Sequence, residues 1–435
     1  MNKDRKLLSF CLIISVIFLI LRIICFDNID SLILSAELVS NLQDIEYFMD
    51  VEFWYVDFCN QLHFDNMFTI YSTIDMYQYS PLFLFVLKPF SLIHEIAVLL
   101  PIFISHFLTG IVIYKIKSQK WVVLSYFLNP IILFYANFSL LNTSLFLLFV
   151  MLSYYYIIKA KLNLSMIFLA IACMFKQFAI IVLPIYFIYI IKNCVYYKKI
   201  NSYFAFFKFM LVFASVILLI MLPFLIMDIR GVFENMIAGG SFFEFDDLFH
   251  ISANTPVNFA ISIKYLSGYE LNFLAILISK NILFIIAYMI LLVISLRKEV
   301  FGIKQLTIAI IRTVFIFQLL YSRGTYKYYL VFAFAFISLC SNNYQRFFVN
   351  ALLSILIIIC YRYVYLFVIL AILLIYRDRL LKQFDKINFN VNTIFLIAFL
   401  GILSYYFIFI PIGASIFVPI VISVILHKKE MKKHD

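Results

Sequence analysis

The sequence predicts an all-α polytopic membrane protein, and three observations lead to this fold class. Hydrophobic residues make up 65% of the 435-residue chain, whereas charged residues make up only 13%. Apolar runs near the length of about 20 residues that a bilayer-crossing helix needs recur along the whole chain. These runs lack period-2 alternation, so helices rather than barrel strands are expected. We therefore expect one integral membrane domain, residues 1–435, that forms a bundle of about 11–14 transmembrane helices.

The individual spans follow from the positions of the apolar runs. The first run, 7–26, is too long for a signal-peptide core and precedes no small-residue cleavage site, so we expect it to be retained as the first span. The full set of predicted spans is 7–26, 93–114, 121–138, 143–158, 162–175, 178–191, 209–227, 281–296, 305–321, 328–340, 347–361, 363–376, 392–411 and 413–426.

Basic residues are concentrated in every second loop between these spans. Together with the amino-terminal segment, Lys208 and Arg346, the alternate loops contain 24 of the 34 Lys and Arg residues. This is the positive-inside signature, and it predicts that both termini are cytoplasmic. Topology thus explains the net charge of +11, and no nucleic-acid partner is expected. We expect a multi-pass protein of the cell membrane if the source is prokaryotic, with the ER membrane as the alternative.

Acidic residues lie instead on two loops of the opposite face. Residues 27–80 contain ten acids and no Lys or Arg, and residues 228–270 contain six acids, which together account for 16 of the 23 acids. A topology signal requires few basic residues outside, but it does not require an excess of acids. We therefore expect a functional site in the first outer loop, 27–92, with the second outer acidic loop, 228–270, beside it.

The stretch MDVEFWYVDF at 49–58 is expected to supply the reactive carboxylates. Apolar residues at helical spacing before it predict an amphipathic helix in the membrane surface. Side chains two residues apart diverge on a helix but share a face in an extended segment, so Asp50 and Glu52 can act on one centre only if that helix has ended. Asp44 is the rival base, and a solvated acidic rim is the alternative without a site.

A proline-bracketed run follows in the same loop. Pro81 and Pro89 flank an apolar segment within 76–90 that is too short to span a bilayer. Such a segment is typical of a re-entrant or interfacial element. We therefore expect it to remain on the outer side.

Several of these features resemble the GT-C class of glycosyltransferases. An Asp-x-Glu early in the first outer loop precedes Tyr71 and the run Tyr-x-Tyr-x-Pro-Leu at 77–82. A second block shows Asn-Pro at 129–130, a short polar outer turn, and Phe-Lys-Gln at 175–177. Within the class, the pattern is similar to the GPI mannosyltransferases that add the first mannose and to their prokaryotic relatives. The resemblance covers residues 40–190, about a third of the chain.

The resemblance implies an inverting glycosyltransferase. Such an enzyme moves a hexose, with mannose favoured, from a polyprenyl or dolichyl phosphate carrier to a lipid-linked or glycan hydroxyl on the outer or lumenal face. Asp50 is then the general base for the acceptor hydroxyl. Glu52 orients the acceptor or, with Asp50, holds Mg²⁺ or Mn²⁺, since hard oxygen ligands suit these ions.

Basic residues outside the cytoplasmic loops are candidates for binding the donor phosphate, because Lys or Arg at membrane depth is costly and by default functional. We expect this role for Lys176, Arg230, Arg323 and Lys327. Snorkelling to the headgroups is the alternative for each of them. Lys176 stands apart because its Phe-Lys-Gln motif also matches the family.

The expected substrate pocket draws on both outer loops and the Phe-Lys-Gln motif. Its candidate residues are Tyr71, Tyr77, Tyr79, Gln177, Asp246, Asp247 and His250. Two acids and one His supply too few ligands to predict a metal in the second loop. Two sequons, at Asn137 and Asn142, lie too near the membrane for glycosylation to be expected.

Two other function classes compete with a transferase. A lipid or polysaccharide flippase or other transporter would place ionisable residues near the bilayer midplane and often show internal repeats. A polysaccharide polymerase would centre on a large late outer loop rich in Arg and His. Here the acids gather on one face, no repeat is found, and the longest outer loop is the first. Membrane lipids are expected partners, and the need for an accessory membrane subunit stays open.

Overall fold

The structure is a computed structural model that describes residues 2–26, 50–74, 77–196, 202–238, 281–321, 327–359 and 372. Within these ranges it contains helices and no strand, which confirms the all-α class. The main α-helices are α1 (Asn2–Phe26), α2 (Val56–Gln61), α3 (Pro81–Ser91), α4 (Leu99–Ile116), α5 (Lys120–Phe127), α6 (Thr143–Ile158), α7 (Leu162–Cys173), α8 (Leu183–Tyr196), α9 (Ser202–Met227), α10 (Ile282–Arg297), α11 (Ile303–Leu320), α12 (Leu330–Ser338) and α13 (Tyr344–Ile359).

Four helical segments of the described ranges are long and apolar enough to cross a membrane. They are Arg5–Ile24, Glu95–Ile116, Phe207–Met227 and Ile303–Leu320. Each coincides with a predicted span. The chain is therefore a membrane protein with several membrane-spanning helices.

The predicted span 121–138 is not one straight helix. It consists of α5 and a π-helical segment, Ile132–Phe138, which meet at 65°. Pro130 lacks a backbone N–H and biases Asn129 before it away from helical geometry. The Asn129 Oδ1 atom then accepts hydrogen bonds from the backbone N–H groups of Ile131 and Ile132, at 3.1 and 3.3 Å, and so starts the second half.

The remaining predicted spans are occupied by shorter helices or lie outside the described residues. Apolar helices of 10–17 residues occupy the predicted spans 143–158, 162–175, 178–191, 281–296, 328–340 and 347–361. At 1.5 Å per residue, helices of this size reach about 15–25 Å, less than the hydrocarbon thickness of about 30 Å. The predicted spans 363–376, 392–411 and 413–426 lie outside the described residues, so the total number of spans stays a prediction.

The helices pack into a bundle with aromatic contacts in its core. Helix α6 packs against α4 and α7, α7 also packs against α9, and α11 packs between α10 and α12. Phe146, Phe178 and Phe332 meet edge to face with ring centres 5.5–6.0 Å apart. The outer surface of α9 exposes apolar side chains such as Leu219 and Leu222, as a lipid-facing helix does.

The loops that contact one another lie at two opposite ends of the bundle. One end, here called the first-loop end, carries residues 50–74 and 77–98 and the turns at 139–142, 174–182, 228–238 and 327–329. At the other end, the basic end, Lys117 Nζ donates to the Leu339 carbonyl oxygen at 3.0 Å. This sorting follows from helices that alternate in direction. The assignment of the basic end to the cytoplasm stays a prediction.

Candidate functional site at the first-loop end

Lys176 is a buried lysine at the first-loop end, with a side chain that is 8% exposed. Its Nζ donates a hydrogen bond to Asn142 Oδ1 at 3.0 Å. The ring centres of Tyr329, Tyr328 and Phe146 lie 4.1, 4.6 and 6.0 Å from Nζ. Burying a cation costs several kcal/mol unless other groups compensate, and the amide oxygen and aromatic faces contribute here. The fold therefore keeps a positive charge at this end of the bundle.

Asn142 connects this lysine to the first loop. Its backbone N–H donates to Tyr55 Oη at 3.1 Å. Tyr55 is buried and closes the π-helical segment Asp50–Tyr55, which bears both predicted catalytic acids. We call the two successive hydrogen bonds the Tyr55–Asn142–Lys176 relay. The relay joins the acid-bearing segment to the buried lysine.

The acid-bearing segment is helical rather than extended. Asp50–Tyr55 forms a π-helical turn that continues directly into α2, where Val56 and Phe58 are buried. The condition under which the sequence allowed Asp50 and Glu52 to act on one centre, an extended backbone, is therefore not met. The packing of α2 supports helical backbone where the sequence alone suggested that the helix had ended. The structure describes the backbone of Asp50 and Glu52 but not their side chains, and Asp44 lies outside the described residues. The roles of all three stay predictions.

The predicted tyrosines form a buried aromatic cluster behind this segment. The hydroxyls of Tyr71 and Tyr77 donate to the backbone carbonyl oxygens of Tyr79 and Ser80, at 3.0 and 2.9 Å. Burial raises the pKa of both phenols, and Asp228 raises that of Tyr71 further. Their hydroxyls therefore stay protonated and support the loop. Tyr79 is half-buried. Contact of these three residues with a substrate stays a prediction.

The start of the second outer loop is clamped onto the first. Asp228 is buried, and its carboxylate accepts hydrogen bonds from the Ser72 N–H at 3.0 Å, the Ser72 hydroxyl at 2.5 Å and the Gly231 N–H at 3.0 Å. The Asn235 side-chain amide donates to the Tyr71 carbonyl oxygen at 2.5 Å. Hydrogen bonds to a charged group are stronger than neutral ones. Asp228 is thus the anchor between the two outer loops.

The other predicted pocket and phosphate residues do not form one group. Gln177 Nε2 donates to the Met236 carbonyl oxygen at 3.4 Å, which joins the Phe-Lys-Gln turn to the second outer loop. Lys327 is buried next to Tyr328, one of the rings that contact Lys176, and its Nζ donates to the Ile358 carbonyl oxygen at 3.3 Å. Arg230 is exposed and pairs with Glu234 at 2.7 Å. Four further candidates lie outside the described residues: Arg323, Asp246, Asp247 and His250.

Asn137 and Thr143 are polar residues at this end that sequence reasoning missed. Both are fully buried. No described residue provides a hydrogen-bond partner for the Asn137 side-chain amide or the Thr143 hydroxyl. A buried polar group without a partner costs about 1–3 kcal/mol and calls for an explanation. The only sequence signal was the sequon at Asn137, and burial of this residue agrees with the expectation that it is not glycosylated.

The backbone near Asn137 and Thr143 has unusual conformations. Among the described residues, three π-helical segments lie at the first-loop end or lead into it: Asp50–Tyr55, Ile132–Phe138 and Val232–Ala238. Between Asn137 and Asn142, Leu140 adopts a left-handed conformation with φ of 51°. π-helical turns are rare and often occur at functional sites, and a left-handed non-glycine residue stores strain. These features mark the same end as the relay.

The described part of the chain holds no group of three or more His, Cys, Asp and Glu residues that could bind a metal. The predicted Mg²⁺ or Mn²⁺ site at Asp50 and Glu52 depends on side chains that are not described. It therefore stays a prediction.

Comparison with known protein families, with curated proteins and with solved structures found no match. A fold alone does not define a function. The function therefore has to be inferred from the chemistry of the first-loop end.

Proposed function

We propose that this protein is an inverting GT-C-like glycosyltransferase. It moves a hexose, with mannose favoured, from a polyprenyl or dolichyl phosphate carrier to a hydroxyl of a lipid-linked or glycan acceptor. The observation that carries the proposal is the Tyr55–Asn142–Lys176 relay, which ties the acid-bearing segment to a buried cation. A transferase of this kind needs a base for the acceptor and positive charge for the leaving phosphate. The acid-bearing segment next to Tyr55 fits the first requirement, and Lys176 fits the second.

Lys176 is the group that stabilises the leaving phosphate. As the bond between the sugar C1 and the phosphate oxygen breaks, negative charge grows on the phosphate. The faces of Tyr328 and Tyr329 hold the Lys176 ammonium at the first-loop end, where its charge can stabilise a phosphate. Helix α6 begins at Thr143, directly after Asn142, and the positive end of its dipole adds to the same field.

Asp50 acts as the base at the other side of the reaction. It takes the proton from the acceptor hydroxyl, whose oxygen attacks C1 from the face opposite the phosphate and inverts the configuration. The helical backbone of the segment favours separate contacts for the two acids, with Glu52 orienting the acceptor. Leaving-group departure needs no acid catalyst, because the leaving group is already a phosphate.

Asn137 and Thr143 supply the polar contacts for the sugar. A carboxamide both donates and accepts hydrogen bonds, as does a hydroxyl, and sugar hydroxyls require both kinds of partner. Their burial without a partner within the described residues, in the turn that also carries Asn142, supports this assignment.

A transporter is the second candidate, and the broken span favours it. Discontinuous helices often form transporter binding sites, and α5 meets Ile132–Phe138 at 65°. The polar groups around this break bond to one another, however: Asn129 donates to Ser354 at 2.6 Å, and Asn350 donates to Ser341 at 2.6 Å. Such paired groups hold helices together in a membrane. The transferase is therefore the better-supported function.

The deciding experiment is sugar transfer by the purified, detergent-solubilised protein. Polyprenyl-phosphate mannose, glucose and related donors are offered with membrane lipid and glycan extracts. We expect transfer from one donor, lost in Asp50→Asn and kept in Asp44→Asn. Equal transfer by wild type and Asp50→Asn would disprove the assigned base. No transfer from any donor, in extracts that support a control enzyme, would favour the transporter or a transferase subunit that needs a partner.

A further inference from the structure

The first loop contains a cavity that sugar transfer does not use. It has a volume of about 430 Å³ and lies between the segment 62–67, which follows α2, and helix α3. Its walls are mostly apolar, with one lysine and one histidine among them. The lining residues are Leu62, His63, Phe64, Met67, Phe85, Lys88, Pro89 and Leu92. The volume falls within the range of about 300–1,000 Å³ that is usual for ligand sites.

Lys88 is held at the wall of this cavity. Its Nζ donates to the Cys59 carbonyl oxygen at 2.7 Å, in the last turn of α2, where a cation is favourable. An ammonium has three N–H donors, and this bond uses one of them. Lys88 is therefore positioned to offer positive charge to a ligand in the cavity.

The contacts of the cavity with α9 indicate its depth in the membrane. The ring of Phe85 lies 5.8 Å from that of Phe224, and Phe68 contacts the same ring at 5.8 Å. Phe224 is in the last turn of α9, a spanning helix that ends at Met227. The end of a spanning helix lies where hydrocarbon gives way to headgroups. The cavity therefore lies at the acyl–headgroup boundary.

The rim of the cavity is unusually apolar. Phe64, Leu92 and Ile93 are 91%, 74% and 77% exposed. Large apolar side chains of this kind, clustered at the end of a spanning helix, are typical of a segment immersed in the membrane interface. The mouth of the cavity accordingly offers apolar side chains for contact with lipid, beside exposed polar neighbours such as Asp65 and Glu95.

We infer that this cavity binds one membrane phospholipid, with an acyl chain between the segment 62–67 and α3 and its phosphate against Lys88. The apolar walls suit the hydrocarbon chain, and the lysine complements the phosphate charge. The bound lipid would anchor the first loop to the bilayer surface. This inference does not depend on the reaction proposed above.

The test is a lipid titration of the delipidated protein in detergent. The probe is phosphatidylglycerol with a photoreactive diazirine on one acyl chain. Native mass spectrometry gives the dissociation constant, and peptide mapping after illumination locates the adducts. We expect one site with adducts in residues 62–92. We expect Lys88→Gln to weaken binding about fivefold, since one Lys near a lipid phosphate contributes about 1 kcal/mol.

Further variants separate binding from folding. Met67→Trp fills the cavity and should remove the adducts, whereas Lys88→Arg keeps the charge and should keep the affinity. Leu219→Trp, on the exposed surface of α9, is the matched control and should change neither. Adducts spread along α9 and unaffected by Met67→Trp would overturn the site. Displacement of the phospholipid by far lower concentrations of polyprenyl phosphate would overturn the occupant.

Discussion

The Tyr55 hydroxyl accepts a hydrogen bond from the backbone N–H of Asn142 at 3.1 Å, across 87 positions of the chain. Asn142 in turn accepts a hydrogen bond from Lys176 through its side chain. One asparagine therefore sets the position of the acid-bearing segment through its backbone and that of the buried lysine through its side chain. Loss of either hydrogen bond should affect both partners.

Tyr55→Phe is expected to destabilise the first-loop end. The substitution removes the acceptor of a buried backbone N–H, and an unpaired buried donor costs about 1–3 kcal/mol. Thermal unfolding of the detergent-solubilised protein measures this change. Tyr156→Phe is the control, because the Tyr156 ring stacks on Phe168 at 5.3 Å and this contact does not require its hydroxyl. An equal effect of both variants would argue against the relay.

Lys176→Gln is expected to lower sugar transfer by about 10²–10³-fold, the usual cost of removing one group that stabilises transition-state charge. Glutamine keeps a donor for the Asn142 side chain but removes the positive charge, so the fold should survive. The transfer rate with a polyprenyl-phosphate sugar measures the effect. Lys192→Gln, on α8 toward the basic end, should leave the rate unchanged. Normal transfer by Lys176→Gln would remove Lys176 from the phosphate site.

Asn137→Leu tests whether the Asn137 side chain contacts the sugar or stabilises the fold. Leucine is close in size to asparagine and needs no hydrogen bonds, so replacing an unpaired buried amide should leave stability unchanged or raise it. Transfer should nevertheless fall, because the sugar loses a partner. Parallel measurements of the melting temperature and the transfer rate make the comparison. A lower melting temperature would instead indicate that the amide binds a structural water.

Asp228→Asn is expected to loosen the contact between the two outer loops. Hydrogen bonds to a charged group contribute about 1.5–3 kcal/mol, and the carboxylate accepts three of them from Ser72 and Gly231. Hydrogen exchange of residues 69–74 should become faster. Glu234→Gln, which breaks only the exposed pair with Arg230, should leave that exchange unchanged. Similar exchange in both variants would contradict the anchoring role of Asp228.

Composition and loop charge were enough to establish the helical membrane class and the limits of several spans. Long apolar runs have few alternatives in a bilayer, because each backbone polar group must be paired within its own helix. For this reason α1, α4, α9 and α11 were predicted correctly. The short element at Pro81–Ser91 was also predicted, since eleven residues reach only about 16 Å.

The break at Asn129–Pro130 and the backbone at Asp50 were not predicted. The apolar run 121–138 was predicted to be one span, because its hydropathy carries no information on whether the Asn129 side chain starts a second helical segment. Asp50 and Glu52 needed extended backbone to act on one centre, yet packing of α2 supports a helical turn there. Both differences arise from local pairing and packing, to which hydropathy is insensitive.

The composition of the candidate site depended on contacts between distant segments. Lys176 was identified from its motif and from the cost of a lysine at membrane depth. Its partners Asn142, Tyr328 and Tyr329 are ordinary residues of two separate turns. Helices that alternate in direction bring such turns to the same end of a bundle, and side-chain packing then selects which of them touch. That selection is a property of three-dimensional packing, so no pattern along the chain could reveal it.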